Sequence, residues 1–381
     1  MKKTLRAFIS FLLIAAMLML PAFAAAKSDN NNDVKYVCFG DSIAGGIGLP
    51  DNPIRGPYQE DKTKVYCGKI AGSYPVLVAE ALGVKDENFA QLACAGMRTV
   101  ELRACLDPAY TVPDSYANNF TGGTELKEWV MDRFDYRKYV SEADIISINM
   151  CANDIGGYAL LRLEELLSRA GVSDIDLDKA VGSLVSGGDY ISAVVKLLDL
   201  SKTIGVLATV PQSIASSLYV GYNRWIENWD AIMRIIYELN PDVTVVAVGM
   251  NNPFNHLKIS QDSLLEIGKA VDGIVQLVNY WSAVGSAYSD RYLYVDIMGI
   301  ETMMEEHGTT IESVIASKNF ELEIHPSVKG HQQIADRIVS ALEKNDLMPC
   351  DLILSQFKIV TRGIVNKYGA QFNELIGSYL R

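Results

Sequence analysis

Two rhythms of apolar and polar positions alternate along the chain. Compact runs rich in apolar residues occur at 34–39, 88–93, 144–150, 243–248 and 292–295, each bounded by Gly, Asn, Asp or Pro. Runs of this length predict five strands, mostly buried on both faces. Between them the spacing becomes helical. The segment 74–82 reads as a helix closed by Gly83. One later stripe carries Trp225, Trp229, Ile232 and Ile236, another Leu264, Ile267, Val271, Ile274 and Val278, and a last amphipathic stretch covers 332–343. Buried strands separated by helices predict a mainly parallel five-stranded sheet covered on both sides, an α/β/α sandwich. Ligands of such sheets bind at the carboxyl ends of the strands. Two segments exceed that minimal plan. Residues 155–221 read as a helical insertion, a candidate lid or acyl-binding wall, and 346–381 as a C-terminal helical extension.

Composition narrows the setting. Lys2, Lys3 and Arg6, the uncharged run 7–20 and the small residues of 21–26 predict a cleaved signal peptide over 1–26, with the folded domain spanning 33–345. No cysteine lies near that cleavage point, so the expected destination is secretion without a lipid anchor. Loss of three basic residues and no acidic one takes the net charge from −12 to −15. An acidic chain does not gather nucleic acid or anionic lipid by simple electrostatics. Of the six cysteines, Cys38 and Cys151 fall in or beside buried strands, where Cys packs as a small hydrophobe, while Cys94 and Cys105 are close enough in sequence to close a local loop. No Cys or His pair has zinc-site spacing, and no metal is implied.

Chemistry-bearing residues then fall at the strand ends. Gly40-Asp41-Ser42 follows the first strand, Gly96 follows the second, Cys151-Ala152-Asn153-Asp154 follows the third, and His325-Pro326 precedes the last helix. The glycine-rich stretch 40–48 lacks the endings of a nucleotide-binding loop. Serine needs an imidazole to accept its proton before it can attack a carbonyl carbon, and the oxyanion so formed needs preorganised donors.

These four blocks, in this order, resemble those of the SGNH (GDSL-type) hydrolases, over about 35–344. The resemblance implies a flavodoxin-like α/β/α fold and ester hydrolysis through an acyl-enzyme, without metal or organic cofactor. It makes Ser42 the nucleophile and His325 the general base, with an oxyanion hole built from the Ser42 and Gly96 N–H groups and the Asn153 amide. Asp41 is expected to shape its turn and Asp154 to support Asn153 by hydrogen bonding. His331 is expected to help start the last helix, and His256 and His307 to lie in surface loops.

The pattern departs from the family at two points: Cys151 stands where a glycine is usual, and Leu322 where the orienting Asp is usual. Either Glu323 takes over that task or a Ser–His dyad works alone, assisted by a backbone carbonyl. The substrate expected is a carboxylic ester, lipid-like if the apolar insertion binds acyl chains, or an O-acetylated polysaccharide. A non-catalytic binding protein keeping the fold is the alternative from another class, motivated by Leu322.

Overall fold

The structure is a computed structural model, which describes residues 34–52, 68–112, 133–156, 210–252, 262–308 and 324–345. Five strands form one parallel sheet: β1 (Tyr36–Gly40), β2 (Phe89–Gln91), β3 (Ile145–Asn149), β4 (Thr244–Val248) and β5 (Tyr292–Val295), in the order β2-β1-β3-β4-β5. This is the expected fold class. β1 pairs with β2 from Tyr36↔Phe89 and with β3 as far as Gly40↔Asn149. Strand order reverses at β1, with β2 on one side and β3 on the other, and the gap between β1 and β3 is the switch point where ligands collect in such sheets.

Every residue of β1, β3 and β4 is buried, because helices cover both faces. α1 (Tyr74–Ala81) and α7 (Val328–Lys344) lie on one side. Tyr36, Cys38, Val246 and Val295 meet Val78, Ile334 and Ile338 there. The other side carries α2 (Thr99–Leu106), α3 (Tyr136–Glu142), α4 (Val210–Leu239) and α5 (Asp262–Val284), packed on Val37, Phe39, Ile146, Ile148, Val245 and Ala247. The period-two alternation of each strand thus feeds two separate cores. The short α6 (Met303–Glu306) follows β5, and His307 caps it at the surface.

α4 is the longest described element, 30 residues and about 45 Å at 1.5 Å per residue. Trp225, Trp229, Ile232 and Ile236 all bury, as their spacing predicts, and the two indole rings stack at 5.4 Å. The Trp225 Nε1–H donates to Met150 O at 2.8 Å and ties the helix to the carboxyl end of β3. Gly221 is required because a Cβ there would lie 2.7 Å from Asp154 O. The predicted boundary at residue 221 therefore falls inside a continuous helix. Pro211 sits near its first turn, where the missing N–H costs nothing.

The remainder of the 155–221 insertion from residue 157 to 209, the extension 346–381, the proposed signal peptide 1–26, His256, Cys67, Cys350, Leu322 and Glu323 lie outside the described residues. No helix among the described residues is long and apolar enough to cross a membrane.

Trp229 is 1% exposed at the centre of the larger core. Trp229→Ala is expected to destabilise the fold by about 3–5 kcal/mol. A shift below about 1 kcal/mol in urea denaturation would show that α4 contributes little to the sheet's cover.

Candidate active site

The turn after β1 is assembled from backbone and one side chain. Asp41 N–H donates to Asn149 O at 3.2 Å, prolonging the β1–β3 ladder by one rung. Asp41 Oδ1 then accepts from Ile43 N–H at 3.0 Å, an Asx turn that reverses the chain. A Cβ on Gly40 would come within 2.3 Å of the Ala44 Cβ, so only glycine lets the turn fold back this tightly. Gln91 of β2 donates from Nε2 to Ala44 O at 2.7 Å and anchors the loop from below. Ser42, the residue carried at this bend, is 9% exposed.

His325 reaches it from 283 residues away, with Nε2 at 2.9 Å from Ser42 Oγ. Its segment is pinned on both sides. Met303 N–H donates to His325 O, Ser327 N–H donates to Glu301 O, and Thr302 bridges Pro326. Ser327 caps α7 by accepting from Gly330 N–H and donates its hydroxyl to Glu301, which Lys329 also grips. Gly330 lies so close that a Cβ would meet Glu301 O at 2.1 Å.

The imidazole is 2% exposed, and among the described residues nothing hydrogen-bonds its Nδ1. Burial without a charged partner pushes its pKa down to about 4. The ring is therefore neutral near pH 7. For Nε2 to accept the Ser42 proton, the ring's own hydrogen must sit on Nδ1.

Two further loops close the site. Met97 N–H donates to Cys94 O, and Gly96 occupies the third place of that turn with φ +75°, where glycine is favoured. Among the described residues neither the Gly96 nor the Ser42 N–H donates a hydrogen bond. The Asn153 amide donates to Met97 O at 3.2 Å and lies 3.5 Å from Asp41 Oδ2, a long contact that holds its second hydrogen weakly.

Asp154 does not meet the Asn153 side chain, contrary to expectation. Its carboxylate accepts from Thr99 N–H at 3.1 Å through both oxygens and from the Thr99 hydroxyl. Burial pushes Asp154 up to about 7, partly countered by those donors. Burial also pushes Asp41 up to about 7, countered by Ile43 N–H and reinforced by the nearby Asp154. Cys151 is a buried thiol, its ionisation pushed well up by burial first and by the charges of Asp41 and Asp154 second.

The structure thus brings Ser42 and His325 into hydrogen-bonding contact and sets Asn153 beside Asp41 and the loop that carries Gly96. Two contributing residues were missed in sequence. Gln91 left a signal, a polar side chain inside a buried strand that must find a partner. Thr99 left only the polar start of a helix. His331, expected to help start α7, lies in its first turn with its N–H donating to Ser327 O at 2.9 Å, and its side chain is fully buried, accepting Tyr74 N–H on Nδ1 at 3.2 Å and stacking on that ring. Burial, with His325 nearby, pushes its pKa down to about 3. Among the described residues no cluster of three or more His, Cys, Asp or Glu could hold a metal ion.

Neither a family model nor a curated protein sequence matches the chain. Solved structures do. An extracellular lipase from Streptomyces rimosus is similar at 16% identity and TM-score 0.43, over 81% of this chain and 99% of its own. A phospholipase A1 from Streptomyces albidoflavus is similar at 15% identity and TM-score 0.44, with the same 81% and 99% coverage. An acetyl xylan esterase from the rumen bacterium Butyrivibrio proteoclasticus is similar at 15% identity and TM-score 0.34, over 83% of this chain and 66% of its own.

Proposed function

We propose that this protein is an exported serine ester hydrolase of the carboxylesterase and lipase kind, with Ser42 as nucleophile and His325 as general base. The observation that carries the reading is the 2.9 Å hydrogen bond between Ser42 Oγ and His325 Nε2 at the sheet's switch point.

In the first half-reaction Ser42 Oγ bonds to the ester carbonyl carbon while its proton passes to His325 Nε2. The carbonyl π pair moves onto oxygen, received by the N–H groups of Ser42 and Gly96 and by the Asn153 amide. Collapse re-forms the carbonyl and breaks the bond to the alcohol oxygen, which leaves with the proton from His325. Water then attacks the acyl-serine by the same route, releasing the carboxylic acid and restoring Ser42. The imidazolium formed at each attack is opposed by burial, so a carboxylate on Nδ1 would lower the barrier. Glu323, two residues before His325, is our candidate for that place.

The expected outcome for Ser42→Ala is a loss of at least about a thousandfold in p-nitrophenyl ester hydrolysis. Equal rates, or no turnover by the wild type from acetyl to palmitoyl, would overturn the assignment.

A second expectation concerns pH and separates a Ser–His dyad from a triad. In a dyad His325 acts only when neutral, and burial holds its pKa at about 4, so kcat/KM should persist above pH 5 and fall below pH 4. A fall already at pH 6 that moves lower in Glu323→Gln would instead put that carboxylate on Nδ1.

Acyl-chain length separates the substrate classes. An apolar acyl pocket adds up to about 0.8 kcal/mol per methylene, about fourfold in kcat/KM, whereas an acetyl optimum favours deacetylation of a polysaccharide.

A further inference from the structure

Two donors of the candidate oxyanion hole stand on different loops, and those loops are cross-linked next to each donor. Gly96 lies on the turn after β2 and Asn153 on the turn after β3. Asn153 Nδ2 donates to Met97 O, one residue beyond Gly96, at 3.2 Å. One residue beyond Asn153, Asp154 accepts both the N–H and the hydroxyl of Thr99. Thr99 opens α2, whose first N–H groups have no partner within the helix. The Arg98 side chain does not cap α2; Glu101 accepts the Arg98 N–H at 2.8 Å and also grips the guanidinium. The Thr99 N–H of the first turn is met from another loop: the Asp154 carboxylate lies at the positive end of the helix dipole. Thr99 is fully buried and Asp154 is 4% exposed, so water does not compete for these bonds.

We infer that Thr99 and Asp154 are positioning residues, a clamp that fixes the spacing between the Gly96 N–H and the Asn153 amide. Neither touches the reacting atoms. Their effect on rate passes through the placement of donors whose value depends on preorganisation: loss of one such donor costs about a hundred- to a thousandfold, and misplacement by an ångström about a hundredfold. This inference rests on the ester-hydrolase reading.

The test is Thr99→Val, which keeps the side-chain shape and removes the hydroxyl donor, beside Thr99→Ser, which keeps the donor. Thr99→Val is expected to lower kcat about tenfold with KM within about twofold, and Thr99→Ser to recover most of that loss. An unchanged kcat, a loss seen in KM instead, or an equal loss in Thr99→Ser would each overturn the clamp. If Thr99→Val does not fold, Asp154→Asn carries the same kcat-against-KM test, since it leaves one acceptor oxygen for two donors. A fluorophosphonate probe separates the two levels. Wild-type Ser42 that never labels removes the hydrolase reading and the clamp with it. Labelling that Thr99→Val does not slow removes the clamp alone.

Discussion

β1 is hydrogen-bonded along both edges, to β2 on one side and β3 on the other, and its pairing with β3 stays in register to the last residue, Gly40↔Asn149. That pairing constrains three chain segments to leave the sheet at one level. The Asp41 N–H adds one more rung to Asn149 O, so the Ser42 turn starts at a height the ladder sets. Cys94 N–H donates in turn to Gly40 O at 3.0 Å, which brings the Gly96 turn alongside. All of the candidate chemistry except His325 therefore hangs from β1 and its neighbours. A parallel sheet buried on both faces is a rigid support, which suits groups that must be held to within a fraction of an ångström.

His325 arrives by a different route. It is held by α7 and the segment 301–303, through backbone bonds on either side and a Glu301–Ser327–Lys329 contact at the helix start. The close approach at Gly330 leaves little freedom to slide. Its chemistry follows from burial rather than from charge. Desolvation lowers both histidines and raises both acids, so near pH 7 this part of the molecule carries less charge than its formula suggests. A low-charge, water-poor surrounding strengthens the pull of fixed N–H dipoles on a new negative charge.

Much of the scaffold was legible in the chain. The five apolar runs became the five strands, with no end moved by more than two residues, because strands buried on both sides tolerate little polarity. The tryptophan stripe marked the core face of α4 for the same reason. The end given to the insertion, residue 221, lies within α4 and not at a helix end. Gly221 is a packing contact against Asp154 O and Pro211 lies near the helix start, and neither interrupts an α-helix there. The burial of His331 was not legible, because nothing local marks a histidine that stacks on Tyr74 across 257 residues.

The order of motifs along the sequence, and the demand of each for a strand end or a turn, determined which residues were candidates. Ser42, Gly96, Asn153 and His325 could be named without coordinates because their blocks, each at a strand end or helix start, resemble in order those of a known hydrolase family. Which of them meet, and what supports them, was decided only by tertiary structure. Asp154 shows the division most clearly. Adjacency in sequence suggested that it serves Asn153 by a direct bond, whereas packing turns it toward Thr99, because a buried carboxylate takes the strongest donors in reach and the first turn of α2 offers them. Local sequence specifies a group's needs, and only the fold specifies which distant group meets them.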